Sequence, residues 1–366
     1  MNPRIKKLLQ PELIALAALV LFALVPLDPT GSAASIRGTL GGQLVNIFIF
    51  AILALGLNVV LGYTGLLHLG IAAFFGIGAY ITGILTVPGY PFQLGFTAAL
   101  ILSTLGAAAA GLVLGAPTLR LRGDYLALVT LGFGEVVRFS IRNLEEITGG
   151  TRGLNPVPPP ELPGKLGAAL DWAGDFRPFF FLSLGILCVV VWLLRNLENS
   201  RLGRAWMAIR EDELAATCMG VSAARVKLSA LAVAGGLAGM AGCLYATRLT
   251  STAGPDAFDF NRSIIMLCCV ILGGLGSLRG TLLGVLLLLG FDNILAPLAD
   301  EWIQRAEINP TNNAFLTFSN WRLMIFGLAL ILMMRLRPEG LWPSERVRHE
   351  LHEDKPLAPA ARGAPA

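Results

Sequence analysis

The feature that most narrows what this chain can become is a series of long apolar runs. Residues 13–27, 47–61, 94–114, 179–194 and 323–334 are nearly free of charge, and they approach or reach the ~20 residues an α-helix needs to cross a bilayer. Lipid offers no water to satisfy backbone N–H and C=O groups, so spanning segments are confined to helices or a closed barrel. Uninterrupted runs without period-two alternation select helices. Composition agrees: 55% of residues are apolar, 14% are charged, and mean hydropathy is +0.68, against about 45–50% apolar and 25% charged in soluble domains. The expected fold is all-α, a polytopic membrane protein of about ten transmembrane helices.

Ten spans fit the sequence best: 11–27, 41–61, 66–87, 94–115, 124–143, 178–195, 228–247, 262–278, 281–299 and 319–335. With the N-terminus inside, 18 of the 28 Lys and Arg residues fall in inner segments or at inner helix ends, nine lie outside, and Arg138 sits within a span. This asymmetry obeys the positive-inside tendency, so both termini and the segment 196–227 are expected on the cytoplasmic side. The basic, then apolar, N-terminus has the order of a cleavable signal as well. An uncleaved first helix is expected, because the topology uses it. Net charge of +4 is spread over the loops rather than gathered into a patch, and no nucleic-acid partner is expected.

Two outer loops interrupt the helical pattern. Residues 144–177 are rich in Gly and Pro, and 300–318 contain "INPTNN". The transmembrane body is expected over 1–340, followed by a polar tail at 341–366 whose composition suits disorder. Glycine is abundant inside the spans, notably in 62–80, 235–242 and 272–284. Small residues let helix backbones approach closely in lipid. Runs such as Gly273, Gly274 and Gly276 also break helices, and broken backbone at membrane depth requires cover by protein or a wet cavity. A translocation path near 62–68 and 273–280 is therefore expected, with Asn58, Thr64 and His68 as further polar candidates along it.

Motifs of catalysis are missing. The sequence has no P-loop, no G-x-S-x-G and no H-E-x-x-H, and its three histidines and five cysteines show no metal-ligand spacing. No cofactor bound by this chain is expected. Glu135 and Arg138 stand three apart on one helix face and can pair. A charge at membrane depth costs at least ~2.5–3.5 kcal/mol on insertion scales, so the pair either pins its helix to a neighbour or lines the solute path.

One stretch runs against the apolar character of the rest. Residues 199–227 carry eight charges in 29 positions: Arg201, Arg204, Arg210, Glu211, Asp212, Glu213, Arg225 and Lys227. From Arg204 onward, Trp206, Ile209, Leu214, Cys218 and Val221 recur at helical spacing between the charges. A helix lying on anionic lipid would fit the apolar stripe, but the acidic run 211–213 opposes it. A helix presented to a groove on a partner protein fits better.

Within that stretch, Glu213-Leu214-Ala215-Ala216 followed by Gly220 resembles the E-A-A-x-x-x-G cytoplasmic loop of importer permeases, with Leu at the first Ala. "GLNVVLGYTGLLHLGIAAFFGIGAY", "PTLRLRGDYLALVTLGFGEVVRFSIRN", "ITGGTRGLNPVP", "LGRAWMAIREDELAATCMGVSAARVKLSA" and "ILGGLGSLRGTLLG" together resemble the LivM-type permeases of branched-chain amino-acid ABC importers, in order, over roughly residues 50–340. The resemblance departs at the loop 156–177 and in the tail after Pro338.

What the resemblance implies is a membrane subunit of the bacterial cytoplasmic membrane with the ABC importer permease fold. Its partners would be a LivH-like second permease, two ATPase subunits and a periplasmic or tethered substrate-binding protein. ATP would be used by those ATPase subunits, and the coupling residues would be Arg204, Ile209, Glu213, Leu214, Ala215, Ala216 and Gly220. Alternating access would carry Leu, Ile or Val. Two other readings stay open: a sibling of the same family carrying urea or short amides, and a stand-alone secondary transporter or channel.

Overall fold

The computed structural model describes residues 32–118, 124–160, 172, 175–305, 321–337 and 339–342. The expected span at 11–27, most of the loop 156–177, residues 306–318 of the second outer loop and the tail after 342 lie outside the described residues. The elements are, in chain order, α1 (Ser32–Asn58) continued by a π-helical turn (Val59–Tyr63), α2 (Ile71–Thr86), α3 (Phe96–Thr118), α4 (Asp124–Asn143), α5 (Glu145–Thr148), α6 (Arg177–Glu198), α7 (Arg201–Glu211), α8 (Glu213–Cys218), α9 (Ala223–Leu249), α10 (Phe260–Gly273), α11 (Leu278–Gly290), α12 (Ala296–Arg305) and α13 (Arg322–Leu336). No strand occurs among the described residues. Among the described residues, five stretches are long and apolar enough to cross a membrane: Leu40–Tyr63, Phe96–Thr118, Arg177–Glu198, Ala223–Leu249 and Leu278–Glu301. Each of the nine other expected spans coincides with a helix, though their ends differ.

The differences have physical causes. The span expected at 66–87 begins helical only at Ile71, and 65–70 is irregular backbone. Its polar groups are met by side chains of neighbouring helices: Leu69 N donates to Thr130 Oγ1 at 3.0 Å, and Ala72 N to Ser263 Oγ at 3.2 Å. The span expected at 262–278 ends at Gly273, because Gly274 and Gly276 take φ of +124° and +75°, backbone that side chains with a Cβ rarely adopt. Ser277 then opens α11 by accepting from Gly280 N at 3.1 Å.

Helix α9 is the centre of the bundle, packed chiefly against α3 and α2, with α1 behind it. Its glycines make that possible. A Cβ on Gly242 would collide with the Phe75 carbonyl, and Gly78 of α2 meets the Gly239 backbone in the same way. On the other face, Gly235 and Gly239 approach the backbone of α3 at Ala107 and Ser103. Close approach lets packing hold helices together where lipid supplies no hydrophobic drive. A hydroxyl pair between Thr82 and Ser103, 2.8 Å apart, adds a polar link between α2 and α3.

The bundle has two distinct ends. At the distal end, Tyr80 donates to Ala253 O (2.8 Å), Val157 N to Thr250 O (2.9 Å) and Leu154 N to Thr252 Oγ1 (2.8 Å). At the proximal end, four segments meet: the π-helical turn after α1, α7 with α8, the α10–α11 turn, and residues 339–342. The charge count placed two of these, the segment 196–227 and the residues after the last span, on one side of the membrane, and they do share one end.

Candidate functional site

The charged stretch is two helices, not the single one its apolar spacing predicts, and the two have opposite surroundings. Helix α7 starts at Ser200, whose Oγ accepts from Gly203 N at 3.2 Å. Gly203 itself lies against the carbonyls of Leu197 and Glu198, so α7 folds back tightly on the end of α6. Trp206 is fully buried. Its ring stacks on Tyr63 with centroids 6.3 Å apart, and its Nε1 donates to Val226 O (3.1 Å) and Ser229 Oγ (2.9 Å) of α9. Ile209 is buried as well, while Arg204 is exposed and donates from Nη1 to Asn199 O at 2.9 Å. The apolar stripe of α7 is thus spent on the chain's own core.

Asp212 breaks the helix. It adopts extended backbone (φ −154°, ψ 111°), and its Oδ1 accepts from Leu214 N (2.8 Å) and Ala215 N (3.0 Å), which caps α8. A short side-chain acceptor competing for backbone donors both stops one helix and starts the next. Helix α8 is held to α9 by one ion pair, Lys227 Nζ to Glu213 Oε1 at 2.6 Å. Lys227 is buried and Glu213 half-buried, so Glu213 anchors rather than presents itself. Ala216 faces inward. The opposite face is open: Ala215, Thr217 and Cys218 are exposed, as are Leu214 (67%) and Met219 (85%). Gly220 follows at φ +89° with nothing within 4 Å of where a Cβ would stand.

Helix α7 also reaches the two helix breaks. Arg210 Nη1 donates to Gly62 O at 2.5 Å, within the π-helical turn. One turn earlier, Asn58 Oδ1 accepts from Gly276 N at 3.0 Å, across to the α10–α11 turn. The widened π-helical turn brings Gly62 against the Gly276 backbone, with the Asn58 carboxamide beside the contact. From the far side, Leu341 N donates to Leu272 O (3.0 Å) and Trp342 N to Gly273 O (2.9 Å), with Gly340 packed on Gly274. Gly273, Gly274 and Gly276 are therefore enclosed by chain on both sides.

The remaining path candidates fall in separate places. Thr64 is buried and donates to Val60 O at 2.6 Å, a local contact. His68 is buried in the irregular 65–70 segment, stacked on Phe74, and neither ring nitrogen has a partner among the described residues. Glu135 and Arg138 do pair (2.9 Å), and Arg138 also holds Asp256 at 2.8 Å, with Arg142 at 3.4 Å. That network ties α4 to the segment after α9 at the distal end. The Arg138 hydrogen bond to Asp256 keeps the exposed Asp256 carboxyl below its ordinary range. Beside it, Glu135, Val136, Phe139, Ser140, Asn143 and Leu144 line a shallow surface groove. Sequence reasoning missed Arg210, Lys227 and Met219. Arg210 and Lys227 read there only as markers of membrane side, whereas Asp212 before Glu213 was a legible helix start.

Comparison with known proteins places these motifs in context. The family described as branched-chain amino acid transport system / permease component matches residues 39–334. The high-affinity branched-chain amino acid transport system permease protein LivM of Escherichia coli K12 is 39% identical over 320 residues, covering 83% of this chain and 70% of that protein. Its counterpart from Salmonella typhimurium LT2 matches at the same identity and coverage. The autoinducer 2 import system permease protein LsrC of Salmonella paratyphi B is 25% identical over 251 residues, 68% of each chain. No solved structure matches.

Proposed function

Because the chain belongs to the branched-chain amino acid transport permease family, we propose that it is the membrane-spanning subunit of an ATP-driven importer for leucine, isoleucine and valine, coupled through α8 to separate ATPase subunits. A LivH-like permease would complete the path, and a substrate-binding protein would deliver the amino acid at the distal face of the bacterial cytoplasmic membrane. The observation that carries the coupling role is the surface of α8: Leu214 on this short, capped and anchored helix, and Met219 at its C-terminal end, are both exposed. Large apolar side chains held rigidly in solvent mark a site where another protein sits.

In mechanism, ATP binding closes the ATPase dimer and moves α8. Because α7 is buried against α1, α6 and α9, that movement is delivered to the proximal ends of the long helices rather than lost in a loop. Alternation between outward and inward openings is then a rigid-body change of the kind known for packed helices. The 39% relatives, both branched-chain amino acid permeases by name, favour these substrates over that of the 25% relative.

The test is uptake by the complete complex in proteoliposomes, offered leucine, isoleucine, valine and urea in turn. ATP-dependent accumulation of the three amino acids is expected. Uptake without ATP, or by this chain alone, overturns the importer reading, and uptake of urea alone overturns the substrate.

A further inference from the structure

Helix α8 is where an ATPase subunit would push, but it is six residues long and, among the described residues, packs chiefly against α7 and α9. Something must carry its displacement to the helices that open and close. The routes out of α7 are few: the buried Trp206, the fold-back at Gly203, and Arg210. Gly203 fixes α7 to the end of α6, and Trp206 fixes it to α9 while stacking on Tyr63, the last residue of the π-helical turn. Of these three, Arg210 is the one that hydrogen-bonds the backbone of that turn. Its guanidinium holds Gly62 O in the π-helical turn, and its stem runs beside Gly65, where α1 gives way to the 65–70 segment.

Gly62 is not an isolated contact. One turn away, the Asn58 side chain accepts from Gly276 N, so the α1 break and the α10–α11 break are tied by a single hydrogen bond. Leu341 and Trp342 close the second break from behind. Irregular backbone changes dihedral angles at lower cost than regular helix, so two helix interruptions in one hydrogen-bonded unit are well suited to act as a hinge.

We propose that Arg210 is the positioning residue that transmits movement of the α7–α8 unit to this pair of helix breaks, so that Arg210–Gly62 and Asn58–Gly276 act in series as the inner gate's linkage. This rests on the importer reading given above. Arg210 stands two residues before Asp212, at the α8 end of α7, so displacement of the α7–α8 unit carries the Arg210 attachment with it. A guanidinium is well matched to such a linkage, because it holds its charge at any physiological pH and donates in a fixed plane.

The experiment measures amino-acid uptake and ATP hydrolysis together in the complete complex, reconstituted in proteoliposomes, for Arg210→Gln and Arg210→Lys. For Arg210→Gln, uptake falls about tenfold or more, the scale of one lost charge-assisted hydrogen bond, while ATP hydrolysis and retention of the ATPase subunits stay near those of the unmodified complex. Arg210→Lys, which keeps the charge and one donor, gives an intermediate ratio of uptake to ATP hydrolysed. Loss of uptake and hydrolysis in parallel, or an unchanged ratio in Arg210→Gln, overturns the proposal. If Arg210→Gln does not accumulate in the membrane, Arg210→Lys decides alone: a lowered ratio supports the linkage and an unchanged one overturns it. An unmodified complex that shows no ATP-dependent uptake defeats the importer reading itself, and that result is distinguishable from failure of Arg210 alone.

Discussion

Helices α7 and α8 are consecutive and share one run of helically spaced apolar residues, yet one is interior and the other is surface. Trp206 and Ile209 of α7 are buried in the chain's own core, while Leu214 and Met219 at α8 stand in the open. Amphipathic spacing records only that one face of a helix avoids water. It does not record whether the cover comes from the same chain or from another. What separates the two halves is Asp212, which turns the chain by adopting extended backbone and caps α8 with its carboxylate.

Substitutions only a few residues apart should therefore have opposite outcomes. The largest effect is expected from Trp206→Ala, which removes the stack on Tyr63 and both indole hydrogen bonds. Its cost is about 3–5 kcal/mol, as for other large-to-small core changes, and it should appear as reduced accumulation of the chain and a lower melting temperature in detergent. A Trp206→Ala chain as stable as the unmodified one would erase the distinction between the two helices.

A middle-sized effect is expected from Glu213→Gln. The substitution leaves Lys227 buried without its counter-charge, and because Glu213 is about one-third exposed, solvent screening limits the cost to about 1–3 kcal/mol. Faster hydrogen exchange confined to residues 212–220 would register α8 detaching while α7 stays protected. The smallest stability effect belongs to Leu214→Arg combined with Met219→Arg. Both positions are exposed, so thermal stability should move by no more than ~0.5 kcal/mol, while co-purification of the ATPase subunits should be lost. Retention of the subunits by this double variant would mean that α8 is not the docking surface.

Much of the bundle could be read directly from the sequence, since the length of each apolar run sets the length of its helix. The expected spans at 94–115, 124–143, 178–195 and 228–247 fall on α3, α4, α6 and α9 with ends a few residues apart. The gathering of segments at the proximal end followed from where lysine and arginine lie. Three features were not legible. The start of α2 at Ile71 depends on Thr130 and Ser263, which are distant in sequence and supply hydrogen bonds that make irregular backbone tolerable. The inward face of α7 depends on Tyr63, Val226 and Ser229 being brought to it by other helices. The glycines of 273–276 signalled a break, but Asn58 on one side and Trp342 on the other appear only when the chain is folded. Likewise Glu135 and Arg138 were legible as a pair, whereas the third member, Asp256, comes from a segment more than a hundred positions away.

The last hydrogen bonds at the α10–α11 turn carry a consequence for how the chain is made. The carbonyls of Leu272 and Gly273 belong to a helix end, where four such groups have no partner within the helix. Their donors are Leu341 and Trp342, beyond α13. A ribosome feeding this chain into the membrane from its N-terminus therefore delivers the turn well before the residues that close it. Until α13 has been inserted and its following residues folded back, those two carbonyls lack the donors that the finished fold gives them.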